Sequence, residues 1–566
     1  MPATQRRPTT RRPSRGPGLP PPRLVEKRIG LLFAMFLMLL ALAALRATWL
    51  GTVKSGSLSE RAVSQQIEDV ADPARRGTIF DRNGVDLAVS EDSVTVFAHP
   101  FLIKDPSRVA ARLSPLIGRS EDELLRKLAD RKTTFVYLRR KMDASLGEKI
   151  KKLKIEGIGT VTEPKRVYPQ GFLASQVLGL VGTDNVGLSG LEYSQDRRLR
   201  GEDGERRLVK DALGEPVSLI ETKRSKPGKS LQLTLDTRIQ ERTEAVLAEV
   251  GQTYTPHGAT AVVMDPRTGE ILALANWPRV DANNVEGAPA YARQNRAIQD
   301  NYEPGSTFKA ITVSGALSER LVTPDTVFEV PPEIQVADRT VGEAHDGGGG
   351  TKTVARILAE SSNVGSVMIG LRLGAKRFDR WVRRFGFGRT TGVDLPGEEG
   401  GIVLRPEHYS GSSMGNMPIG QGIAVTPMQM ATAYTAIANH GVMRRPYIVK
   451  GDRPPPKRVL TRRTADQVSQ MLEGVLAAGG TAEEAQVEGY TLAGKTGTAE
   501  KAIKGGYSKT DFIASFIGYA PARNPRLLVA VMVDTPRGDI YGGTVAAPAF
   551  ERIMEFALPY LKIPPR

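Results

Sequence analysis

The chain has 566 residues and a net charge of +16, from 78 Lys and Arg against 62 Asp and Glu. That length asks for two or three domains, and a hydrophobic fraction of 40% supplies a large core, which excludes a globally disordered protein. With no Cys, disulfides, thiolate zinc or iron–sulfur sites and a cysteine nucleophile are excluded. The same absence suits a cell envelope, where stray thiols would be oxidised. His99, His257, His345, His408 and His440 stand far apart without HExxH or HxH spacing, so a metal site or a Ser-His-Asp triad has little support.

Residues 1–28 carry Arg6, Arg7, Arg11, Arg12, Arg15, Arg23, Lys27 and Arg28 against one acid, Glu26, with a stiff Pro20-Pro21-Pro22 inside the arm. A basic arm can bind nucleic acid, but the next segment argues for a membrane. Ile29 to Leu45 (IGLLFAMFLMLLALAAL) has no charged or strongly polar residue and as a helix spans about 26 Å, enough for a bilayer core. Arg46 can snorkel and Trp49 can sit at the interface. The positive-inside rule puts the arm, and so the N-terminus, in the cytoplasm. Ala-Leu-Arg-Ala-Thr-Trp is a poor cleavage site, so a retained anchor over 29–50 is expected rather than a signal peptide, with 51–566 outside the cytoplasm.

Past the anchor, residues 51–225 are charged, with strand-like runs at Ser93–Ala98 and Leu178–Gly182 and a helical patch at Ser120–Leu128. Ser225-Lys226-Pro227-Gly228-Lys229 is a polar breaker, and a domain boundary is expected near 225. No internal repeat is visible, and Gly347–Gly350 reads as a flexible loop. From 226 on, Ala259–Asp265 and Glu270–Asn276 flank Pro266-Arg267-Thr268-Gly269, a hairpin signal. Gly494–Glu500, Phe512–Tyr519 and Leu527–Asp534 are three further strands, and Val545–Leu561 has helical periodicity. Two strands, a helical middle, three strands and a last helix predict an α+β domain: one mostly antiparallel sheet with its helices segregated.

Three short segments of this domain carry chemistry. In Glu303-Pro304-Gly305-Ser306-Thr307-Phe308-Lys309, Pro304-Gly305 precedes the helical pattern Phe308, Ile311, Val313 and Leu317, which puts Ser306 in the first turn of a buried helix with Lys309 on the same face. A serine hydroxyl needs a base to take its proton, and a lysine serves only if burial or a nearby cation keeps it neutral. In Ser361-Ser362-Asn363 the outer residues flank a helix start, where an N-cap is the ordinary reading. In Lys495-Thr496-Gly497-Thr498 the strand alternates its faces, and Gly497 lets a ligand approach the backbone. Each segment alone is weak, because such triplets arise by chance in long chains.

Together they are specific. SxxK, SxN and KTG come in this order, with Ser361 55 residues after Ser306 and Lys495 132 after Asn363, as in penicillin-binding proteins and serine β-lactamases. The chain resembles the class B penicillin-binding proteins, and the resemblance covers nearly all of it. Arg76-Gly77-Thr78-Ile79-Phe80-Asp81-Arg82-Asn83-Gly84 resembles the family's first membrane-proximal box, and Gly187–Gly190 with Leu191-Glu192 its GxxGLE segment. Asp265–Glu270 and Gly420-Gln421-Gly422 also match. Asn363, where the elongation-specific branch usually has Asp, and the wording of the three motifs are similar to the division-specific, FtsI or penicillin-binding protein 3, branch. The 68 residues after Thr498 hold no segment like the PASTA modules of many Gram-positive relatives.

The resemblance implies a pedestal domain over 51–225 and a β-lactamase-like transpeptidase domain over 226–566. It implies a septal peptidoglycan D,D-transpeptidase in the inner membrane, N-terminus cytoplasmic and catalytic domain periplasmic. Ser306 would attack the D-Ala–D-Ala carbonyl, with neutral Lys309 as base and the N–H groups of Ser306 and Thr498 as oxyanion hole. Ser361 and Lys495 would relay the proton to the leaving D-Ala, and Asn363 would hold the peptide amide and orient Lys309. Thr496, Gly497 and Thr498 would receive the terminal carboxylate of a stem peptide or of a β-lactam. No cofactor or metal is implied; the implied partners are the FtsW glycan polymerase and the FtsQ–FtsL–FtsB and FtsN division complex, with nucleic acid disfavoured. Arg76, Gly77 and Asp81 read as braces. Alternatives from the same motifs are an elongation-specific transpeptidase, a D,D-carboxypeptidase and a β-lactamase, though no ExxLN-like segment stands between the second and third motifs. A pure division scaffold remains the non-enzymatic alternative.

Overall fold

The structure, a computed structural model, describes residues 22–54, 67–210, 216–343 and 349–565. The arm before Pro22, His345 and the start of Gly347–Gly350 lie outside them; Gly350 itself opens a short strand, Gly350–Thr353. The chain divides into two compact units.

The first unit takes in residues up to Asp72 and Gly204–Arg224. It holds helix α1 (Pro22–Thr52), in whose stretch Lys27–Thr52 the most apolar 18 residues have a mean hydropathy of 2.4 and no buried share. A helix whose apolar side chains face outward all round has no protein core to bury them in, which fits a membrane span. The same unit has a three-stranded antiparallel sheet of Ile67–Asp72, Gly204–Lys210 and Pro216–Lys223.

The second unit takes in Pro73–Asp203 and Ser225–Arg566. In its first part β1 (Asp86–Ala98) pairs antiparallel with β2 (Val136–Asp143) and β3 (Ile158–Val167). Two helices, Pro106–Ile117 and Glu121–Ala129, close a small core of Val96, Leu113, Ile117, Leu124, Leu128 and Leu138. The second helix starts where its sequence says: Ser120 accepts from Glu123 N, and Glu121, Asp122 and Glu123 sit at the positive end of the helix dipole. The Leu178–Gly182 strand does not form. A helical turn, Ser175–Leu178, occupies its start, and only Val181 makes a bridge, to Gly187. The edge beside it is only residues 186–188, where Gly182 N donates to Val186 O and Leu188 N to Leu180 O, too short to extend the bridge into a strand.

Arg76 is buried and reaches Glu192 Oε2 at 2.7 Å and Asp196 Oδ1 at 2.6 Å, while Arg166 takes Glu192 Oε1 at 2.6 Å. A buried carboxylate shared between two guanidinium groups is stable only while both are present. Gly77 has no room for a side chain, since a Cβ would stand 2.2 Å from Lys229 O. The buried Asp81 accepts from Asn83 N, Val85 N and, at 3.1 and 2.8 Å, from the N–H and hydroxyl of Thr237. Thr237 opens helix α2 (Thr237–Tyr254). Gly77 and Asp81 therefore tie this segment to Lys229 and Thr237, past residue 225, as braces do, whereas Arg76 braces it to Glu192 and Asp196 on the near side.

The large sheet contains β4 (Gly258–Met264), β5 (Ile271–Trp277) and, after a helical middle, β6 (Ala493–Ile503), β7 (Gly506–Ala520) and β8 (Leu527–Asp534). Its order is β5-β4-β8-β7-β6, and every pair is antiparallel. All eight residues of β8 are buried, so both faces are covered. The pleat of β7 shows how: Phe516 packs on Phe550 of the last helix (Ala547–Tyr560), and Tyr519, on the opposite face, donates to Ser469 in the helix Arg462–Glu473. The helices are thus segregated into one group per face.

Candidate active site

Ser306 sits in a 3₁₀ turn, Gly305–Phe308, that runs straight into helix α3 (Lys309–Ser318). Two glycines make that turn possible. Gly305 has φ +53°, and its N–H donates to Gly420 O; Gly420 has φ +81°, and a Cβ there would stand 2.1 Å from Gly305 O. Thr307 donates to Pro304 O, and its own carbonyl accepts from Tyr434 OH at 2.7 Å, out of the fully buried helix α4 (Pro427–Ala438). Phe308 fills the core against Phe378 and Phe387. These contacts leave Ser306 half-buried at the rim, one turn before a Lys309 that is 0% exposed.

Lys309 points into the second motif. Its Nζ donates to Ser361 O at 2.6 Å and Asn363 Oδ1 at 2.7 Å, with Ser361 Oγ at 3.3 Å. Ser361 holds a left-handed backbone, φ +59°, which turns its carbonyl toward the amine. A non-glycine residue keeps that conformation only where the surroundings fix it. Ser362, the middle residue, is the N-cap of the helix Asn363–Leu373 and accepts from Gly365 N. The N-cap reading of this motif thus holds for Ser362, while the two flanking side chains are left for Lys309. Burial pushes Lys309 down to about 7, against the opposing pull of Glu343.

The third motif lies on β6, with Lys495 opposite Ile517, Thr496 opposite Phe516 and Thr498 opposite Ala514. Lys495 is also 0% exposed; burial first, and then Lys309, pushes it well below the ordinary lysine range. Its Nζ donates to Thr496 Oγ1 at 3.1 Å, and that hydroxyl is shared with Thr481 at 2.7 Å. Thr498 is more exposed, and its hydroxyl accepts from Gly542 N at 3.0 Å. At Gly497 a Cβ would stand 2.4 Å from Ser515 Oγ and 3.0 Å from Pro304 O, so the strand and the Ser306 turn are packed backbone to backbone.

All eight candidate residues thus come from elements that meet: Ser306 and Lys309 on one helix start, Ser361 and Asn363 on a second, Lys495 to Thr498 on the facing strand. The arrangement offers a hydroxyl, an amine near neutrality and two backbone segments at one rim. A cavity of about 620 Å³ opens beside it, lined by Glu303 and Glu500, which flank the first and third motifs, and by Gly422. Three residues that the sequence did not single out hold the site together: Tyr434, Thr481 and Glu343. No local pattern marks them, because each meets its motif across more than ten residues of chain.

Two of the described histidines are engaged away from this centre. His257 pairs with Asp534 and His440 with Asp466, and neither ring bonds a serine. Among the described residues no group of three or more His, Asp or Glu could hold a metal ion.

Two family models match the chain: the penicillin binding protein transpeptidase domain over residues 259–555 and the penicillin-binding protein dimerisation domain over 71–233. The peptidoglycan D,D-transpeptidase FtsI of Escherichia coli is 32% identical over 555 residues, covering 96% of this chain and 93% of that protein. The stage V sporulation protein D of Bacillus subtilis is 36% identical over 512 residues, covering 87% and 79%. The crystal structure of penicillin-binding protein 3 from Mycobacterium tuberculosis complexed with aztreonam superposes with a TM-score of 0.69 at 31% identity, covering 88% of this chain and 98% of that one. This chain belongs to the class B penicillin-binding proteins, with a transpeptidase domain of the serine type.

Proposed function

We propose that this protein cross-links peptidoglycan stem peptides at the division septum through an acyl-enzyme on Ser306. The observation that carries the reading is Lys309: fully buried, one turn after Ser306, held by Ser361 and Asn363 and pushed to about 7. Ser361 O and Asn363 Oδ1 occupy two N–H donors of the neutral amine, which leaves its lone pair for a proton. Ser306 Oγ attacks the carbonyl carbon of the D-Ala–D-Ala bond while its proton passes to Lys309 Nζ. The N–H groups of Ser306 and Thr498 take the oxyanion. The C–N bond breaks, and a proton returned through Ser361 and Lys495 neutralises the departing D-Ala amine. Thr498, backed by Thr496, Gly497 and the Lys495 amine, holds the terminal carboxylate. The amine of a second stem peptide then attacks the ester carbonyl, forms the cross-link and restores the hydroxyl. A β-lactam enters the first half of the same path.

In this reading residues 51–225 are the pedestal and 226–566 the transpeptidase domain. Helix α1 anchors the chain in the inner membrane, arm inside and catalytic domain in the periplasm. The partners are the FtsW glycan polymerase and the FtsQ–FtsL–FtsB and FtsN division complex. The chemistry is tested by incubating the protein with a donor pentapeptide and an amine acceptor. A joined product, absent from Ser306→Ala, is expected; free tetrapeptide as the only product would make the protein a carboxypeptidase. The septal role is tested by replacing the cellular copy with Ser306→Ala. Filaments are expected, rounded cells would assign the protein to elongation, and normal division would remove catalysis from its essential role.

A further inference from the structure

Glu343 follows the hairpin of Glu333–Val336 and Arg339–Gly342 and lies far in sequence from every motif, yet it closes on the second one. Its Oε1 accepts from Ser362 Oγ at 2.5 Å, and its Oε2 accepts from the Asn363 backbone N–H at 2.8 Å. The neighbouring Gly342 O accepts from Asn363 Nδ2 at 3.1 Å. Asn363 is therefore gripped on both sides by the end of one hairpin. With its NH₂ on Gly342 O, only its Oδ1 can face Lys309 Nζ, which fixes the amide the right way round. Ser362 has its proton on Glu343, so its lone pairs are free for Gly365 N.

The clamp also brings a charge. A base that takes a proton in a dry site becomes a buried cation, and a buried cation needs a counter-charge. Among the described residues no carboxylate touches Lys309: its direct partners are a carbonyl, an amide and a hydroxyl. Among the described residues the charged groups that face it are Lys495 from β6, which repels, and Glu343 from the hairpin, which attracts. We propose that Glu343 is a positioning residue for catalysis, clamping Asn363 onto Lys309 and supplying, one residue removed, the counter-charge for the lysine once it has accepted the Ser306 proton. This rests on the acyl-enzyme reading above and goes beyond the motif residues that define it.

The test is the pH dependence of acylation by a penicillin, measured on the purified full chain in detergent for the wild type and for Glu343→Gln. Glutamine keeps the shape, and one of its two polar atoms still serves each partner, so the charge is the main thing removed. A nearby negative charge favours the ammonium form; without it Lys309 loses its proton at lower pH. The acid limb of the rate profile is expected to move to lower pH by on the order of half a unit or more. The plateau is expected to fall about tenfold, because the protonated base is left without a counter-charge. An unchanged limb with a wild-type plateau would overturn the proposal. So would a lower plateau with an unmoved limb, which would reduce Glu343 to scaffolding.

If Glu343→Gln does not fold, Glu343→Cys carries the same question, because the chain has no other cysteine. Alkylating its thiol with iodoacetate restores a carboxylate, and with iodoacetamide a neutral amide. Only the carboxylate adduct is expected to recover the wild-type limb; equal profiles for the two adducts would overturn the proposal. The two readings fail separately. A wild type that is never acylated on Ser306 removes the acyl-enzyme, whereas an acylated wild type with an indifferent Glu343 removes only this inference.

Discussion

Lys309 and Lys495 are both fully buried, and among the described residues each meets oxygen acceptors of carbonyl, amide or hydroxyl groups and no carboxylate in direct contact. Burial drives both toward the neutral form, and for Lys309 the endpoint is about 7. If the neutral amine is the base, the acylation rate rises with pH through about 7 and levels off above it. Stopped-flow acylation by a fluorescent penicillin between pH 5.5 and 9 measures this (the bounds are roughly those over which a base of this pKa titrates). A rate flat through that range would exclude Lys309 as the titrating base. Stability carries the same signature. Lys309 falls from an ordinary 10.5 to about 7 on folding, so between those values the unfolded chain holds more protons and stability rises with pH. In Lys309→Met that contribution is gone. The wild type should therefore gain on Lys309→Met as the pH is raised across that window, by on the order of 1 kcal/mol per unit of pH. Urea unfolding of both proteins near its two ends measures it; a constant gap would mean that Lys309 stays charged in the fold.

At the scale of elements, what was legible was whatever depends on neighbours in sequence. All five strands of the large sheet lie where alternation and turn residues put them. Ser120 caps its helix, and the SxxK pair shares one turn because three residues of helix bring it round to one face. The Leu178–Gly182 strand failed for the complementary reason, since a β-run is decided by its partner and not by itself. The backbone contacts that shape the Ser306 turn were not legible either. Gly420 was noted only as part of a Gly-Gln-Gly match, and its role appears when its φ of +81° and its closeness to Gly305 O are seen. Gly420→Ala should lower stability by about 1–3 kcal/mol and slow acylation with it, through displacement of the Gly305 carbonyl. Thermal unfolding and acylation rate read both effects; an unchanged rate would show that the turn tolerates the shift. Asp81→Asn tests the other end of the unit. The hydrogen bonds of Val85, Thr237 and Asn83 outweigh desolvation and hold the Asp81 carboxyl below its usual range, so its stabilisation is present at neutral pH and lost on acidification. The variant should unfold about 1–2 kcal/mol more easily at neutral pH, with the difference shrinking as the pH drops below the ordinary carboxylate range. A gap that does not shrink would deny the carboxylate this role.

At the scale of the whole molecule, the order of three short motifs between Ser306 and Thr498 identified the family, although no motif does so alone. The fold explains why: a helix start, a second helix start and a sheet edge must converge on one rim, and each supplies a few side chains. What the order does not reveal is what holds them there. Glu343, Tyr434 and Thr481 act across the fold, and one sequence carries no sign of such contacts. The outward-facing apolar helix α1 predicts that the full chain sediments with membranes and that removal of residues 1–54 frees it while leaving Ser306 reactive. Fractionation followed by labelling with a fluorescent penicillin measures both; a soluble full chain would contradict the anchor.

The central claim is that Ser306 is the nucleophile of a slowly deacylating transpeptidase. Intact mass of the purified protein after brief incubation with benzylpenicillin tests it most directly. A stable adduct of one drug molecule that maps to the Ser306 peptide and is absent from Ser306→Ala is the expected result. An adduct on another residue, or none while the drug emerges hydrolysed, would contradict it.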